Sequence, residues 1–146
     1  MNGKKIFRCR KIADGVARGP ALISRDSICF YMVSPDTGTI VEQDHAALGQ
    51  SIAGKVIIFP SGKGSSVVQM DGLYKLQLKG FQPKAMIIEK AETVIVATAI
   101  ILGIPLVDRV DDAFYETVAN GDTVIVDAFK EVVRLIDKTS ETETIS

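Results

Sequence analysis

The chain has 146 residues, of which 47% are hydrophobic and 24% are charged, and its formal net charge at pH 7 is −1. This length can bury one sizeable core, but it is small for a complete metalloenzyme with its own lid. Because 17 basic residues balance 18 acidic ones, no global field favours nucleic acid or an anionic membrane. The composition predicts a single domain over residues 1–138 and a polar, acidic tail at residues 139–146 that we expect to be disordered.

The first third of the chain predicts short strands. Residues 4–12 alternate between apolar and polar side chains, and residues 20–24 form a second run typical of a strand. The alternation predicts that Arg10 and its basic neighbours lie on a solvated strand face. Residues 35–38, with the sequence Pro-Asp-Thr-Gly, are typical of a turn, and a short strand is expected to follow at residues 39–41.

The middle of the chain alternates strands with helices. Each strand is a run of apolar residues, and each helix leads into a glycine, with Gly80 predicted as the C-cap of the first helix and Gly103 at the end of the second. This alternation indicates a parallel sheet and therefore an α/β fold. The predicted strands span residues 55–59, 84–89 and 104–107, and the predicted helices span residues 65–79 and 92–102.

The last third of the chain predicts a helix start and a closing hairpin. The adjacent acids Asp111 and Asp112 favour a helix N-terminus, where the helix dipole stabilises negative charge, and we assign them no acid–base role. A turn at residues 120–122 precedes two runs typical of strands, at residues 123–126 and 131–136, which we expect to pair.

The segment between the strand at residues 55–59 and the next helix carries the strongest functional signal. Residues 61–66 are Ser-Gly-Lys-Gly-Ser-Ser, and the helix is expected to begin near Ser65. Unpaired N–H groups, the helix dipole and close backbone approach at the glycines together predict a phosphate or carboxylate site. The alternative is that Ser65 or Ser66 only caps the helix. The segment is not a P-loop, which needs a glycine at the position of Ile57.

Four segments carry a resemblance to a known family. They are residues 19–24 (Gly-Pro-Ala-Leu-Ile-Ser), 35–41 (Pro-Asp-Thr-Gly-Thr-Ile-Val), 49–60 (Gly-Gln-Ser-Ile-Ala-Gly-Lys-Val-Ile-Ile-Phe-Pro) and 62–66 (Gly-Lys-Gly-Ser-Ser). Their order and spacing resemble the swivel-domain component of the aconitase X family, and in particular its short, stand-alone archaeal form. The resemblance covers residues 4–136 and implies a swivelling β/β/α domain, with β-barrel-like ends around a short parallel βαβαβ core.

The resemblance also implies a function, that of a hydro-lyase assembled from two chains. A large subunit would carry an iron or iron–sulfur centre, expected to be a 4Fe–4S cluster, while this chain holds no cofactor and supplies a serine as general base. The matching residue is Ser65, and Gly62, Lys63, Gly64 and Ser66 would bind the substrate beside it. The implied reaction is the removal of water from (R)-5-phosphomevalonate, a phosphorylated 3-hydroxy acid, in the cytoplasm of an archaeon.

Other functions remain open at this stage. Ordinary aconitases have an arginine after the matching pair of serines, whereas this chain has Val67, which argues against citrate or isocitrate as the substrate. A hydroxyproline dehydratase is the alternative within the family, and a regulatory module that binds a small molecule is the alternative outside enzymes. Swivelling domains also serve phosphotransfer enzymes, so the lone His45 is a candidate phosphoryl carrier. No glycine-rich turn precedes it, and a histidine in a surface loop is the favoured interpretation.

The cysteines predict no metal or redox chemistry. Cys9 and Cys29 are too few and too far apart in sequence for a tetrahedral metal site or a CxxC motif, and we interpret them as buried thiols of a cytosolic protein. No secretion signal is recognised at the start of the chain. The most apolar run, residues 94–107, is interrupted by glycine and proline, is too short to cross a bilayer and is predicted to be core.

Overall fold

The computed structural model describes residues 4–136, so the predicted tail and the predicted end of the domain lie outside the described residues. The helices are α1 (Ser66–Leu78), α2 (Thr93–Leu102) and α3 (Asp112–Thr117), and a 3₁₀ helix covers Phe30–Met32. The strands are β1 (Lys4–Arg8), β2 (Arg10–Ala13), β3 (Val16–Ile23), β4 (Val56–Phe59), β5 (Ala85–Ile88), β6 (Leu106–Asp108), β7 (Thr123–Asp127) and β8 (Val132–Ile136).

These strands form one sheet in the order β1-β8-β7-β3-β4-β5-β6-β2. Strands β3, β4, β5 and β6 are parallel, and α1 and α2 are the crossovers that return the chain between β4, β5 and β6. Strands β1, β8, β7 and β3 pair antiparallel, as does β2 with β6. The α/β prediction is confirmed, with a short parallel core between antiparallel ends.

The central strand β4 is buried on both faces. Ile57 and Phe59 pack into one core cluster with residues of α1 and α2, whereas Val56 and Ile58 pack into a second cluster with Phe114 of α3. None of the four β4 side chains is more than 1% exposed. A strand covered on both faces has no need for alternating polar residues, which explains its continuous apolar run. The carboxyl end of β4 leads directly to the predicted site before α1.

The predictions for the ends of α1 agree with the structure to within one residue. Ser65 is the N-cap, and Lys79 rather than Gly80 is the C-cap. Gly80 follows in a left-handed conformation, and the N–H groups of Gly80 and Phe81 donate to carbonyls of the last turn at 3.1 and 2.9 Å. The helix therefore starts and stops where its local sequence provides partners for its unpaired backbone groups.

The predictions for the last third of the chain are confirmed. β7 and β8 pair antiparallel as the closing hairpin. Helix α3 begins directly after Asp111, its N-cap, although the Asp111 carboxylate accepts the N–H of Arg8 at 2.9 Å and makes no capping bond.

Two strand predictions were wrong. Residues 4–12 do not form one strand, because the strand is interrupted at Cys9, whose N–H donates to the Glu131 carbonyl at 3.1 Å. β1 then pairs with β8 and β2 with β6, at opposite ends of the strand order. Residues 39–41 make only isolated bridges, because successive residues contact different segments and cannot build a ladder.

Lys5, Arg8, Arg10 and Lys11 are exposed, as predicted for a solvated strand face, and Arg10 in addition forms an ion pair. Its Nε and Nη2 groups donate to the two carboxylate oxygens of Asp108 at 2.9 and 2.7 Å, and Asp108 is only 3% exposed. A carboxylate this deeply buried requires a partner, which Arg10 supplies from the adjacent strand. The pair was not predictable locally because its members are 98 positions apart.

The apolar run at residues 94–107 is only partly core. Ile95 and Ala99 of α2 are fully buried, whereas Ile100 and Ile101 are 58% and 65% exposed. The prediction was therefore wrong for one side of α2, which faces outward although it is apolar. Within residues 4–136, no helix is long and apolar enough to cross a bilayer.

Candidate active site

Ser65 stands at the junction between the loop after β4 and helix α1. Its carbonyl accepts the N–H of Gln69 at 3.0 Å, and its Oγ accepts the N–H of Val68 at 3.4 Å, so it caps the helix. Ser65, Ser66 and Val67 are all exposed. The Ser65 hydroxyl thus caps the helix end and is also accessible from outside.

The backbone at this helix end provides donors for negative charge. The N–H groups of Ser66 and Val67 have no acceptor among residues 4–136, and they lie at the positive end of the α1 dipole. An anion beside Ser66, or negative charge on the Ser65 Oγ, would be stabilised there. The Val68 N–H, which donates to the capping Ser65 Oγ, would also stabilise an alkoxide on that oxygen. Capping and acid–base chemistry use the same contact and do not exclude each other.

The two glycines of the loop have different physical roles. Gly64 has φ of +112°, a conformation that residues with a side chain rarely adopt. Gly62 allows close packing instead, because a Cβ there would lie 2.5 Å from Gln69 Nε2 and 2.6 Å from Ile95 Cγ1. Gly62 thus lies against the core beneath the loop, while Lys63 and Gly64 are exposed.

A neighbouring segment holds the loop in place. The Ile28 N–H donates to the Ser61 carbonyl and the Lys63 N–H donates to the Ile28 carbonyl, both at 3.0 Å. The hydroxyls of Ser27 and Ser61 lie 2.6 Å apart, within hydrogen-bond distance. The N–H and the carbonyl of Ile28 therefore both hold the loop residues that precede Ser65.

Sequence reasoning missed Gln69, which links this segment to α1. The side chain is 1% exposed, its Oε1 accepts the Phe30 N–H at 2.7 Å, and its Nε2 donates to the Ile28 carbonyl at 3.2 Å. A signal was present, since Gln69 shares the helix face of the buried residues Gly72 and Leu73. A polar residue on a buried face must find partners.

Sequence reasoning also missed Glu42, the partner of Lys63. The Lys63 ammonium donates to the Glu42 carboxylate, and the two side chains are 46% and 22% exposed. This pair places a cation at the rim of the loop, already oriented by an acid from a distant segment.

The interpretation of His45 as a surface histidine was wrong. It is 7% exposed, its Nε2 lies 2.9 Å from the Ser27 carbonyl, and its Nδ1 accepts the Ala47 N–H at 2.9 Å. These contacts fix the tautomer with the proton on Nε2 and engage both ring nitrogens. His45 thereby supports the segment that holds the loop.

The two cysteines are free and half-buried rather than fully buried. Cys29 lies beside the loop, with its Sγ 3.3 Å from the position that a Cβ on Gly64 would take. Burial, together with the negative charge of Glu131 and smaller contributions from other carboxylates, raises the pKa of the Cys9 thiol to about 12.

Cys9 is expected to react slowly with a disulfide reagent such as DTNB, because its thiolate fraction at pH 8 is about 1000-fold lower than that of a thiol with the ordinary pKa of 9.0. The reason is that a raised pKa keeps the thiol neutral, so the reactive thiolate appears only as pH approaches 12. The measurement is the rate in a Cys29→Ser variant between pH 7 and 10, with the urea-unfolded protein as control. The rate should rise about tenfold per pH unit throughout. A plateau near pH 9 in the folded protein would contradict this prediction.

The described residues do not bring a set of metal ligands together. Among residues 4–136, no three His, Cys, Asp or Glu side chains lie together as a group that could hold a metal ion.

The comparisons with known proteins agree on one family. The family model described as "Aconitase X swivel domain" matches residues 6–135. A protein of Methanocella arvoryzae named "Phosphomevalonate dehydratase small subunit" is 46% identical over 126 residues, covering 86% of this chain and 95% of the relative. A protein of Methanothrix thermoacetophila with the same name is 46% identical over 132 residues, covering 90% and 95%.

Two solved structures share the fold. The crystal structure of Thermococcus kodakaraensis aconitase X in its holo form superposes with a TM-score of 0.82 at 38% identity, covering 91% of this chain and 99% of the other. The solution NMR structure of a UPF0107 protein superposes with a TM-score of 0.80 at 41% identity, covering 91% and 100%. The likeness therefore extends over nearly the whole length of both chains.

Proposed function

The chain belongs to the aconitase X swivel domain family, and from this premise we propose that it is the small subunit of a two-chain phosphomevalonate dehydratase. The reaction is the conversion of (R)-5-phosphomevalonate to trans-anhydromevalonate 5-phosphate, a step of the archaeal mevalonate pathway to isoprenoids. Relatives that carry this name match along nearly all of their own length. The observation that carries the proposal is an exposed serine at the helix end predicted to bind anions.

Ser65 is proposed as the general base. Dehydration removes a proton from the carbon next to the carboxylate, and the electron pair of that C–H bond forms the carbon–carbon double bond as the hydroxyl leaves the third carbon as hydroxide. The hydroxide and the proton taken by the base together make the water that is released. The proton would pass to the Ser65 Oγ, whose negative charge before that transfer is stabilised by the Val68 N–H and the helix dipole. In a site closed by a partner, the absence of bulk water would strengthen both interactions.

The remaining residues of the loop are proposed to bind the substrate. The N–H groups of Ser66 and Val67 and the Ser66 hydroxyl would be donors for a carboxylate or phosphate oxygen, and the exposed Lys63, three residues before Ser66, would add a positive charge. Gly64 would contribute through its backbone conformation, and Gly62 through the close packing that seats the loop against Gln69.

The cofactor is proposed to reside on the large subunit. A 4Fe–4S cluster there would supply a Lewis acid for the departing hydroxyl. This chain would then contribute the base and part of the anion site, and the assembled enzyme would act in the cytoplasm.

The test is reconstitution. The isolated chain is expected to show no dehydration of (R)-5-phosphomevalonate, and activity should appear on mixing with the phosphomevalonate dehydratase large subunit of the same organism. The measurement is product formation by each chain alone and by the mixture, with hydroxyproline as a second substrate in parallel. Turnover of (R)-5-phosphomevalonate by the isolated chain would contradict the proposal. So would a mixture that turns over hydroxyproline but not (R)-5-phosphomevalonate.

A further inference from the structure

Helices α1 and α2 leave an apolar groove open on the outside of the molecule. The groove has a volume of about 730 Å³ and is lined along α1 from Ser66 through Val67 and Tyr74 to Gln77, and along α2 by Ile101 and Leu102. Val67, Tyr74 and Ile101 are 73%, 47% and 65% exposed. We name this surface the α1/α2 groove.

The composition of α2 is inconsistent with permanent exposure of this side. None of the ten residues of Thr93–Leu102 is charged, and the helix is apolar on its outer as well as its inner face. A helix that is apolar all round is typical of one that is covered on all sides. Asp71 is the charged residue of the groove lining, and it is paired with Lys75 at 3.0 Å. The groove therefore fits an apolar surface and presents no charge that needs a new partner.

The composition of residues 137–146 does not suit them to cover the groove. Residues 137–146 read Asp-Lys-Thr-Ser-Glu-Thr-Glu-Thr-Ile-Ser and contain a single large apolar side chain, Ile145. Burying such a polar segment against the groove would cost desolvation with little apolar contact in return.

The size of the groove favours a partner that also covers the candidate active site. From Ser66 to Gln77 the groove is about 17 Å long, at about 1.5 Å per residue, and two packed helices present a face about 20 Å wide. The resulting area is roughly 350 Å² per partner, less than half of the ~800 Å² that a stable interface buries on each side. A dimer of this chain through the groove alone would be too small. A larger partner could extend from the groove onto Ser65, because Ser66 belongs to both surfaces.

We propose that the α1/α2 groove is a docking surface for the large subunit, which covers the groove and the loop before α1 as one continuous interface. This inference depends on the proposed function, since it requires that a large subunit exists and approaches Ser65. It adds which face of this chain the partner binds, and that the contact is apolar.

The test compares exposed apolar residues inside and outside the groove. The groove variants are Ile101→Lys and Tyr74→Lys, and the matched control is Phe129→Lys, because Phe129 lies in the β7–β8 turn with an exposure of 64%, close to that of Ile101. Each variant is titrated with the phosphomevalonate dehydratase large subunit of the same organism by calorimetry, after its fold is checked by circular dichroism.

Each groove variant is expected to raise the Kd for the large subunit at least about tenfold, the cost of losing an apolar anchor at an interface, while the control stays within about twofold of the wild type. If the wild-type chain binds the large subunit and both groove variants bind it with the same affinity, the inference is overturned and the proposed function is left intact. A wild-type chain that self-associates through the groove, with dimers broken by Ile101→Lys, would also overturn it. If the wild-type chain does not bind the large subunit at all, the proposed function fails and the inference fails with it.

Discussion

Replacing Ser65 with alanine is expected to lower the kcat of the reconstituted enzyme by at least about 100-fold, since a positioned acid–base group contributes about 10²–10⁴ to the rate. The same change removes the N-cap of α1, which costs roughly 0.5–2 kcal/mol of stability. The capping contact is long, at 3.4 Å, so the lower part of that range is expected. The measurement is steady-state dehydration by the mixed subunits, with folding and assembly verified for each variant.

Two further variants separate catalysis from capping. Ser65→Asn keeps a good N-cap side chain but has no hydroxyl, so it should preserve stability and lose as much kcat as Ser65→Ala. Ser66→Ala removes the neighbouring hydroxyl at the same helix end and should raise KM more than it lowers kcat. A Ser65→Ala enzyme that assembles normally and retains most of its kcat would leave Ser65 with a structural role only.

Replacing Gly72 with alanine is expected to destabilise the domain by about 2 kcal/mol, which corresponds to a fall in Tm of roughly 5–10 °C. In an ordinary helix the change from glycine to alanine stabilises by about 0.5–1 kcal/mol. Here the added Cβ would lie 2.5 Å from both the carbonyl carbon and the oxygen of Phe30, which are backbone atoms that cannot turn aside. The 3₁₀ helix at Phe30–Met32 would have to move away from α1.

A loss of stability in Gly72→Ala, where an ordinary helix would gain stability, is the result that identifies the close packing. It is measured by thermal unfolding followed by circular dichroism. Val67→Ala is the control on the same helix, because Val67 is 73% exposed and its truncation should change stability by less than about 0.5 kcal/mol. A Gly72→Ala variant that is as stable as the wild type would show that α1 and the 3₁₀ helix are less tightly packed than their geometry indicates.

The sequence by itself determined the local frame of the candidate site. The apolar run of β4, the glycine-containing turn and a serine that can cap a helix lie within about a dozen consecutive residues, and each acts through its own backbone or that of near neighbours. The resemblance of four segments to one family added the family itself, together with the function and the role of Ser65 that we propose. For these reasons the start of α1, the parallel core and the closing hairpin could be predicted without coordinates.

Only the tertiary structure decided which side chains hold this frame in place and which stay exposed. Gln69 bonds to Phe30 across 39 positions, and Arg10 bonds to Asp108 across 98. His45 is buried by a loop that folds over residues distant in sequence. Conversely, the outer face of α2 is exposed although its residues are as apolar as a core. Local sequence sets backbone preferences and the pattern of burial, but the partner of a buried polar group depends on the path of the whole chain. The cover of an apolar face can lie on another chain altogether.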